Sequence, residues 1–273
     1  MLDFFIFKYK GGGSMREIFE SSIRSLEGEA GIIFKSLDGD ISYDFELNAD
    51  KVMPAASIIK LPILWSVMQK VGYGEIALSD MIPVQDGDMF GEFDAQHHPL
   101  TASEYAVGDL CRLMIDLSDN LASNMLIRLV GMENINLEIK KCGLKHTVLQ
   151  RKFLDFETQA RGFENYTTPN ESVKMVTLML DSEKRGLKIG DEMLEILAGQ
   201  CDKNYLSQYM PDTFKFAHKT GHIPGTMHNV GIITTSKQKK YIIAVMTTKL
   251  KSDVEGLRFL NTVGEEVFKF LAK

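Results

Sequence analysis

The chain has 273 residues, 44% of them hydrophobic and 25% charged, with a formal net charge of -6. That length and composition suit a globular protein with a sizeable core, and the acidic balance speaks against nucleic acid as a partner. No run approaches the roughly 18 to 20 apolar residues of a membrane span, so no membrane-spanning segment is expected.

Residues 1–14 (MLDFFIFKYKGGGS) resemble an appended tag and linker. The apolar run is interrupted by Lys8 and Lys10, has no basic leading segment or small-residue cleavage site, and ends in GGGS. A natural start is therefore expected at Met15. On this reading the chain as it stands carries no export signal and belongs in the cytoplasm, the alternative being a leader that has been removed. Cys111, Cys142 and Cys201 are odd in number and form no CxxC or Cys/His pattern, so reduced thiols are expected.

In chain order, a helix is expected over 16–26. Two β-rich runs, GIIFKSL and ISYDFEL, then flank Asp38-Gly39 as a hairpin. The middle reads as helices over 57–71, 101–117, 121–130, 133–142, 170–180 and 191–197; Thr101 with Glu104 three residues on has the form of a capping box. Strand character returns in FKFAHKT, HNVGIITT and KYIIAVMTT, and an amphipathic helix over 254–271 closes the chain. Two hairpins at opposite ends most simply join into one antiparallel sheet. The expected fold class is α/β (α+β): a sheet from the N- and C-terminal segments, flanked by terminal helices, with an inserted all-helical lobe. Residues 15–55 and 202–273 would form the discontinuous α/β lobe and 56–201 the helical one, with a small-molecule site in the crevice between them.

Three short motifs carry chemistry. In PAASIIKLPILW, Ser57 and Lys60 lie three apart, so on a helix they share one face and the lysine amine can reach the serine hydroxyl. A hydroxyl becomes a useful nucleophile once a base takes its proton, and a neutral lysine can do that. The plainer reading is that Ser57 caps the helix and Lys60 is solvated. Pro62 would leave the Ile58 carbonyl without its helical partner. Ser118-Asp119-Asn120 sits at a helix junction, where a hydroxyl and a carboxamide suit proton shuttling and substrate orientation, or simply an N-cap. Lys219-Thr220-Gly221 ends the strand FKFAHKT; its lysine and hydroxyl suit a substrate carboxylate, and its glycine permits close approach to the backbone. His97-His98, His222 and His228 have no zinc-type spacing, so neither a metal nor another cofactor is expected.

Together and in this order, S-x-x-K, S-D-N and K-T-G resemble the class A β-lactamases and penicillin-binding serine hydrolases. PAASIIKLPIL is similar to that family's nucleophile helix, SDNLASNMLI to its second motif, and Tyr166–Pro169 (YTTP) to the close of its omega loop. The resemblance implies that Ser57 is acylated while Lys60 and Ser118 move protons. Asn120 would position the lysines and substrate, and Lys219 with Thr220 would hold a substrate carboxylate. The backbone amides of Ser57 and His222, the residue after Gly221, would form an oxyanion hole. The implied partner is a small molecule, a β-lactam or a peptide- or ester-like acyl donor, and the implied state is a monomer.

The omega loop departs from the family. Aligned on Thr147 and Arg151, Phe153 stands where efficient class A enzymes carry the glutamate that activates the deacylating water, and Glu157 stands at the asparagine that helps hold it. Counting back from Thr167-Thr168-Pro169 puts Lys152 at the glutamate instead. Asp155 and Glu157 are the candidate substitute bases. Asn165 replaces an aspartate, which leaves Arg151 without the family's ionic partner. Phe90, Phe93 and Tyr105 are the candidates for aromatic cleft lining. Three readings stay open: a β-lactam hydrolase, a relative that acylates but deacylates slowly, and a non-catalytic protein that keeps the fold.

Overall fold

The computed structural model describes residues 15–90 and 102–273. The expectations for the first 14 residues and for Phe93, His97, His98 and Thr101 fall outside those residues.

Helix α1 (Met15–Ile23) turns Met15, Ile18 and Phe19 to one side at amphipathic spacing and buries all three. β1 (Glu29–Ser36) and β2 (Phe45–Leu47) form the first hairpin, Ile32 opposite Leu47 and Phe34 opposite Phe45. Its connection is wider than a two-residue turn. Asp40 accepts the Ser42 backbone N–H at 3.1 Å and caps a 3-10 turn over Ile41–Tyr43.

β3 (Met53–Pro54) leads into a 3-10 turn over Ala56–Ile59 and then α2 (Lys60–Gly72). The split explains Pro62. It falls in the first turn of α2, where a backbone N–H has no helical acceptor anyway, and the Lys60 N–H turns back to the Ser57 and Ile58 carbonyls. The helix expected over 101–117 begins only at Val107. Glu104 lies in β5 (Glu104–Ala106), paired with β4 (Met81–Pro83), and α3 covers Val107–Asp116. The backbone of Ser103 to Ala106 is committed to this ladder, so Glu104 stands in a strand and not in the first turn of a helix.

The helical lobe continues through α4 (Asn120–Val130), α5 (Met132–Lys141), the short α6 (Phe156–Ala160), α7 (Pro169–Lys184) and α8 (Lys188–Ala198), with β6 (Tyr166–Thr167) pairing back to β3. β7 (Lys215–Ile223), β8 (Thr226–Thr234), β9 (Lys240–Thr248) and α9 (Asp253–Leu271) complete the chain. Sheet order is β2-β1-β9-β8-β7 with every neighbouring pair antiparallel; β1 and β9 pair from Glu29–Thr248 to Ser36–Tyr241 and join the two ends of the chain.

Successive residues of a strand face opposite ways, and both faces of this sheet are covered. Ile33, Val230, Ile232, Ile242, Ala244 and Met246 pack into one core with the helical lobe. Ile32, Phe34, Ile233, Ile243 and Val245 pack into a second core with α1 and α9. That is why KYIIAVMTT reads as a continuous apolar run rather than an alternating one. β7, at the sheet edge, runs past the 3-10 turn that carries Ser57, and there the site forms.

Candidate active site

A cleft of about 730 Å³ opens between the helical lobe and the β7 edge, with Ser57 and Ser118 in its wall. Three non-glycine residues lining it, Ala56 (φ 44°), Ser118 (φ 55°) and Leu154 (φ 62°), hold left-handed backbone. Such conformations cost energy that surrounding structure must offset, and they concentrate at functional sites.

In the 3-10 turn, with three residues per turn, Ser57 and Lys60 share a side. The Lys60 side chain is fully buried. Its Nζ donates to the Ser118 carbonyl at 2.6 Å, the Ser118 Oγ at 3.2 Å and the Asn120 Oδ1 at 2.9 Å. The Ser118 Oγ in turn lies 2.9 Å from the Ser57 Oγ. The lysine therefore connects to Ser57 through the Ser118 hydroxyl, where sequence reasoning expected a direct contact. Burial first, and then the neighbouring Lys219, hold the Lys60 ammonium well below the usual lysine range, with Asp119 opposing them. Asp119 supplies the N-cap, accepting the Ala122 N–H at 2.7 Å, which leaves Ser118 and Asn120 to face Lys60.

Lys219-Thr220-Gly221 does not end its strand. β7 continues through His222 to Ile223, its ladder with β8 kept to the Pro224-Gly225 turn. Lys219 is fully buried and donates to the Thr220 carbonyl at 2.9 Å. Burial brings its ammonium down to about 7, against the pull of Asp202 and Asp116. Thr220, Gly221 and His222 line the cleft. Gly221 lets β7 pass close to the turn that carries Ser57: a Cβ there would meet the Ile58 Cγ1 and the Ser57 backbone nitrogen, both at 3.2 Å, and the Ala56 Cβ at 3.4 Å. The His222 ring points to Asp253, at 3.0 Å. His228 lies elsewhere. It is fully buried, with Nε2 2.8 Å from the Pro54 carbonyl, and burial lowers it to about 4.

The omega loop brings Phe153, not a carboxylate, to the lysine: the Lys60 Nζ sits 4.3 Å from the centre of its ring. Asn124 fixes Phe153 by accepting its backbone N–H at 2.9 Å and donating to its carbonyl at 3.1 Å. Asp155 does not line the cleft; it caps α6, accepting the Thr158 N–H at 2.9 Å. Burial would raise its carboxyl, but the bonds from Thr158 and the nearby Arg161 and Arg151 outweigh that and lower it. Glu157 is exposed and also off the cleft. Lys152, the alternative alignment, bonds the Gly87 carbonyl at 2.6 Å.

Arg151 does have an ionic partner, contrary to expectation. Its Nε and Nη2 reach Glu164 at 3.0 and 2.9 Å. Asn165 is used differently: its Oδ1 accepts the Gln150 and Arg151 N–H groups, and its carbonyl accepts the Ala55 N–H at 2.7 Å. Glu164 lines the cleft, yet its oxygens already accept from Arg151, from the Gln159 amide at 2.7 Å and from the Asn165 N–H at 2.7 Å. Sequence reasoning missed Glu164, Gln159, Phe156, Asp202 and Tyr205 as cleft residues; none belongs to a motif, and only the loop path brings them there. Of the aromatic candidates, Tyr105 packs on the helical core, and neither it nor Phe90 lines the cleft.

A serine wired through a second hydroxyl to a buried lysine, at the seam of an antiparallel sheet and an inserted helical lobe, is the arrangement of a β-lactamase- or transpeptidase-like fold. The chain belongs to the β-lactamase enzyme family, whose family model matches residues 14–271, and is a β-lactamase-like hydrolase. It is similar to the solved structure of PBP-A at 25% identity and a TM-score of 0.81, over 94% of this chain and 95% of that one. It is also similar to a crystallised β-lactamase from Sphaerobacter thermophilus, at 26% identity and a TM-score of 0.81, over 95% and 97% of the two chains. A β-lactamase of Rhodobacter capsulatus is 26% identical over 220 residues, 76% of this chain and 71% of that protein.

Proposed function

We propose that the chain is a monomeric serine hydrolase that opens β-lactam rings by forming an ester on Ser57 and releases that ester slowly. The observation that carries the first half is the unbroken line from Lys60 through Ser118 to Ser57. A neutral amine has two N–H groups, which suit the Ser118 carbonyl and Asn120 Oδ1, and one lone pair, which suits the Ser118 hydroxyl. As the Ser57 oxygen attacks the lactam carbonyl, its proton passes to Ser118 and the Ser118 proton to Lys60. When the carbon–nitrogen bond breaks, the departing nitrogen takes a proton from Ser118, and Lys60 returns its proton to Ser118, so that both the hydroxyl and the neutral amine are restored. The backbone N–H groups of Ser57 and His222 receive the developing oxyanion, a role worth roughly 3 kcal/mol per donor in other acyl transferases. Thr220, on the cleft wall, holds the substrate carboxylate, with the buried Lys219 supplying positive charge from behind it, and Asn120 holds the substrate amide.

Slow release follows from Phe153. Hydrolysis of the ester needs a base for water, and the group against Lys60 is an aromatic ring. Two carboxylates line the cleft: Glu164, whose oxygens accept from Arg151, Gln159 and Asn165, and Asp202, whose Oδ1 accepts the backbone N–H and the side-chain amide of Asn204. Likeness to both PBP-A and β-lactamases is consistent with an acylating site of either turnover.

The test is benzylpenicillin followed by intact-protein mass spectrometry and rapid-mixing kinetics. The expected result is one adduct, absent in Ser57→Ala, and a burst of about one equivalent before a much slower steady state. Rapid multiple turnover without a burst would instead favour an efficient β-lactamase with another base. No adduct and no turnover would remove the proposal.

A further inference from the structure

Taking acylation of Ser57 as above, we propose that Gln200 is a positioning residue for that step, its buried amide tying the end of the helix that presents Ser118 to the segment that brings Asp202 to the cleft.

The chain passes from the helical lobe to the sheet after α8, and Gln200, only 4% exposed, lies at that crossing. Its Nε2 donates to the Ile115 carbonyl at 2.6 Å, and its Oε1 accepts the Asp202 N–H at 2.8 Å. The next residue, Cys201, donates its N–H to the Asp116 carbonyl at 3.0 Å. Ile115 and Asp116 end α3, where carbonyls have no intrahelical donor. A side-chain amide can give one bond and take another at once, which is what this junction uses.

Both ends of the tie lead to reacting groups. Leu117 alone separates Asp116 from Ser118, whose carbonyl and hydroxyl both meet Lys60 and whose left-handed backbone needs support from its surroundings. At the other end Asp202 lines the cleft. Burial lowers Lys219; Asp202 leads the groups that oppose this, followed by Asp116, while Lys60 and His218 feel the same lysine's charge. Further along, Asn261 of α9 donates to the Tyr205 carbonyl at 2.9 Å, and Asn229 of β8 accepts the Leu206 N–H at 3.3 Å. The far end of the segment is thus fixed to the sheet side, and Gln200 with Cys201 fixes its near end to the helical lobe.

The test follows adduct formation with benzylpenicillin by time-resolved intact mass from pH 5 to 9, with circular dichroism to confirm the fold. Lys219 titrates at about 7, so acylation that needs its charge falls as pH rises through that value. Gln200→Met has the same length and neither bond. It should slow acylation roughly tenfold at pH 6, the scale of a small misplacement of reacting groups, and move the fall to lower pH because Asp202 is no longer held. Gln200→Asn can still accept the N–H two residues on, as Asn does in turns, but is too short to reach Ile115; it should slow acylation and leave the fall in place. Combining Gln200→Met with Asp202→Asn should move the fall no further than Asp202→Asn alone, since one acts through the other. A purely structural amide would lower the urea midpoint and change neither rate nor fall. That result in folded Gln200→Met overturns the proposal, as does a wild-type rate in Gln200→Asn where the Met variant does not fold. Calorimetry on Ser57→Ala at pH 7 separates this from the acylation reading. Adding Gln200→Met should weaken benzylpenicillin binding roughly threefold, the scale of a partly screened ion pair, even where the wild type forms no adduct. Equal binding overturns the proposal.

Discussion

Lys219 is the side chain whose surroundings decide most about when the site can work. It is fully buried; Asp202, Asp116, Lys60 and His218 are the titratable groups that act on it or feel its charge. At about 7 it is a cation on the acid side and a neutral amine on the alkaline side. If it supplies the charge behind a substrate carboxylate, acylation by benzylpenicillin should fall as pH rises through about 7, whereas the methyl ester of the same penicillin should show no such limb. Asp202→Asn should move the limb to lower pH, because the leading group opposing burial is removed. Adduct formation followed from pH 5 to 9 reads all three. Stability runs the other way: between about 7 and the ordinary 10.5 the unfolded chain binds the extra proton, so this lysine favours the folded state progressively more as pH rises. Residues of this kind were legible in the sequence because each motif specifies both residue type and spacing. Glu164 was not. Asn165, at the expected position, spends its amide on two backbone N–H groups, and the charge comes from the residue before it.

At the scale of elements, the omega loop shows what spacing leaves undetermined. Its length and ends could be read, but which carboxylate turns inward depends on a helix of five residues, Phe156–Ala160, and on a left-handed Leu154 that no pattern signals. β7 is the converse case. Its true end was marked by Pro224-Gly225, a strong turn dipeptide, and ending the strand at the motif overlooked it. The loop's neck should be its energetic centre. Arg151 and Glu164 have side chains only 9% and 13% exposed, in a two-bond pair. Glu164→Gln would leave a buried guanidinium without its counter-charge and should cost about 3 kcal/mol in urea unfolding. Glu157→Gln, on the same loop but exposed, should change stability by less than about 0.5 kcal/mol. Equal effects from the two would mean that the neck does not hold the loop.

For the whole molecule, the question is whether the lobes fold as one. The sequence pointed to a sheet closed by both chain ends, and β1 pairs with β9 along its length; less visible was that the sheet serves two cores, its faces shared between the helical lobe and the terminal helices. A strand common to two cores cannot leave one without exposing the other, so a lesion on the far face should be felt across the sheet. Gly264 supplies that lesion. It sits in α9 against the 3-10 turn Leu206–Tyr209, and a Cβ there would run into the Leu206 carbonyl and its Cα at 2.8 Å. Gly264→Ala should therefore destabilise by about 2 to 3 kcal/mol through overpacking. Gly39→Ala is the contrast: nothing lies within 4 Å, so only its left-handed φ of 86° costs, about 1 to 2 kcal/mol. The chain's single tryptophan, Trp65, packs on the helical core, far in sequence from α9. If the lobes are one cooperative unit, Gly264→Ala should lower the urea midpoint seen by Trp65 fluorescence and by far-ultraviolet circular dichroism together. Separate midpoints, with Trp65 unmoved, would mean that the helical lobe stands without the sheet. The same substitution should also slow adduct formation on Ser57, because Tyr205, next to Leu206, lines the cleft.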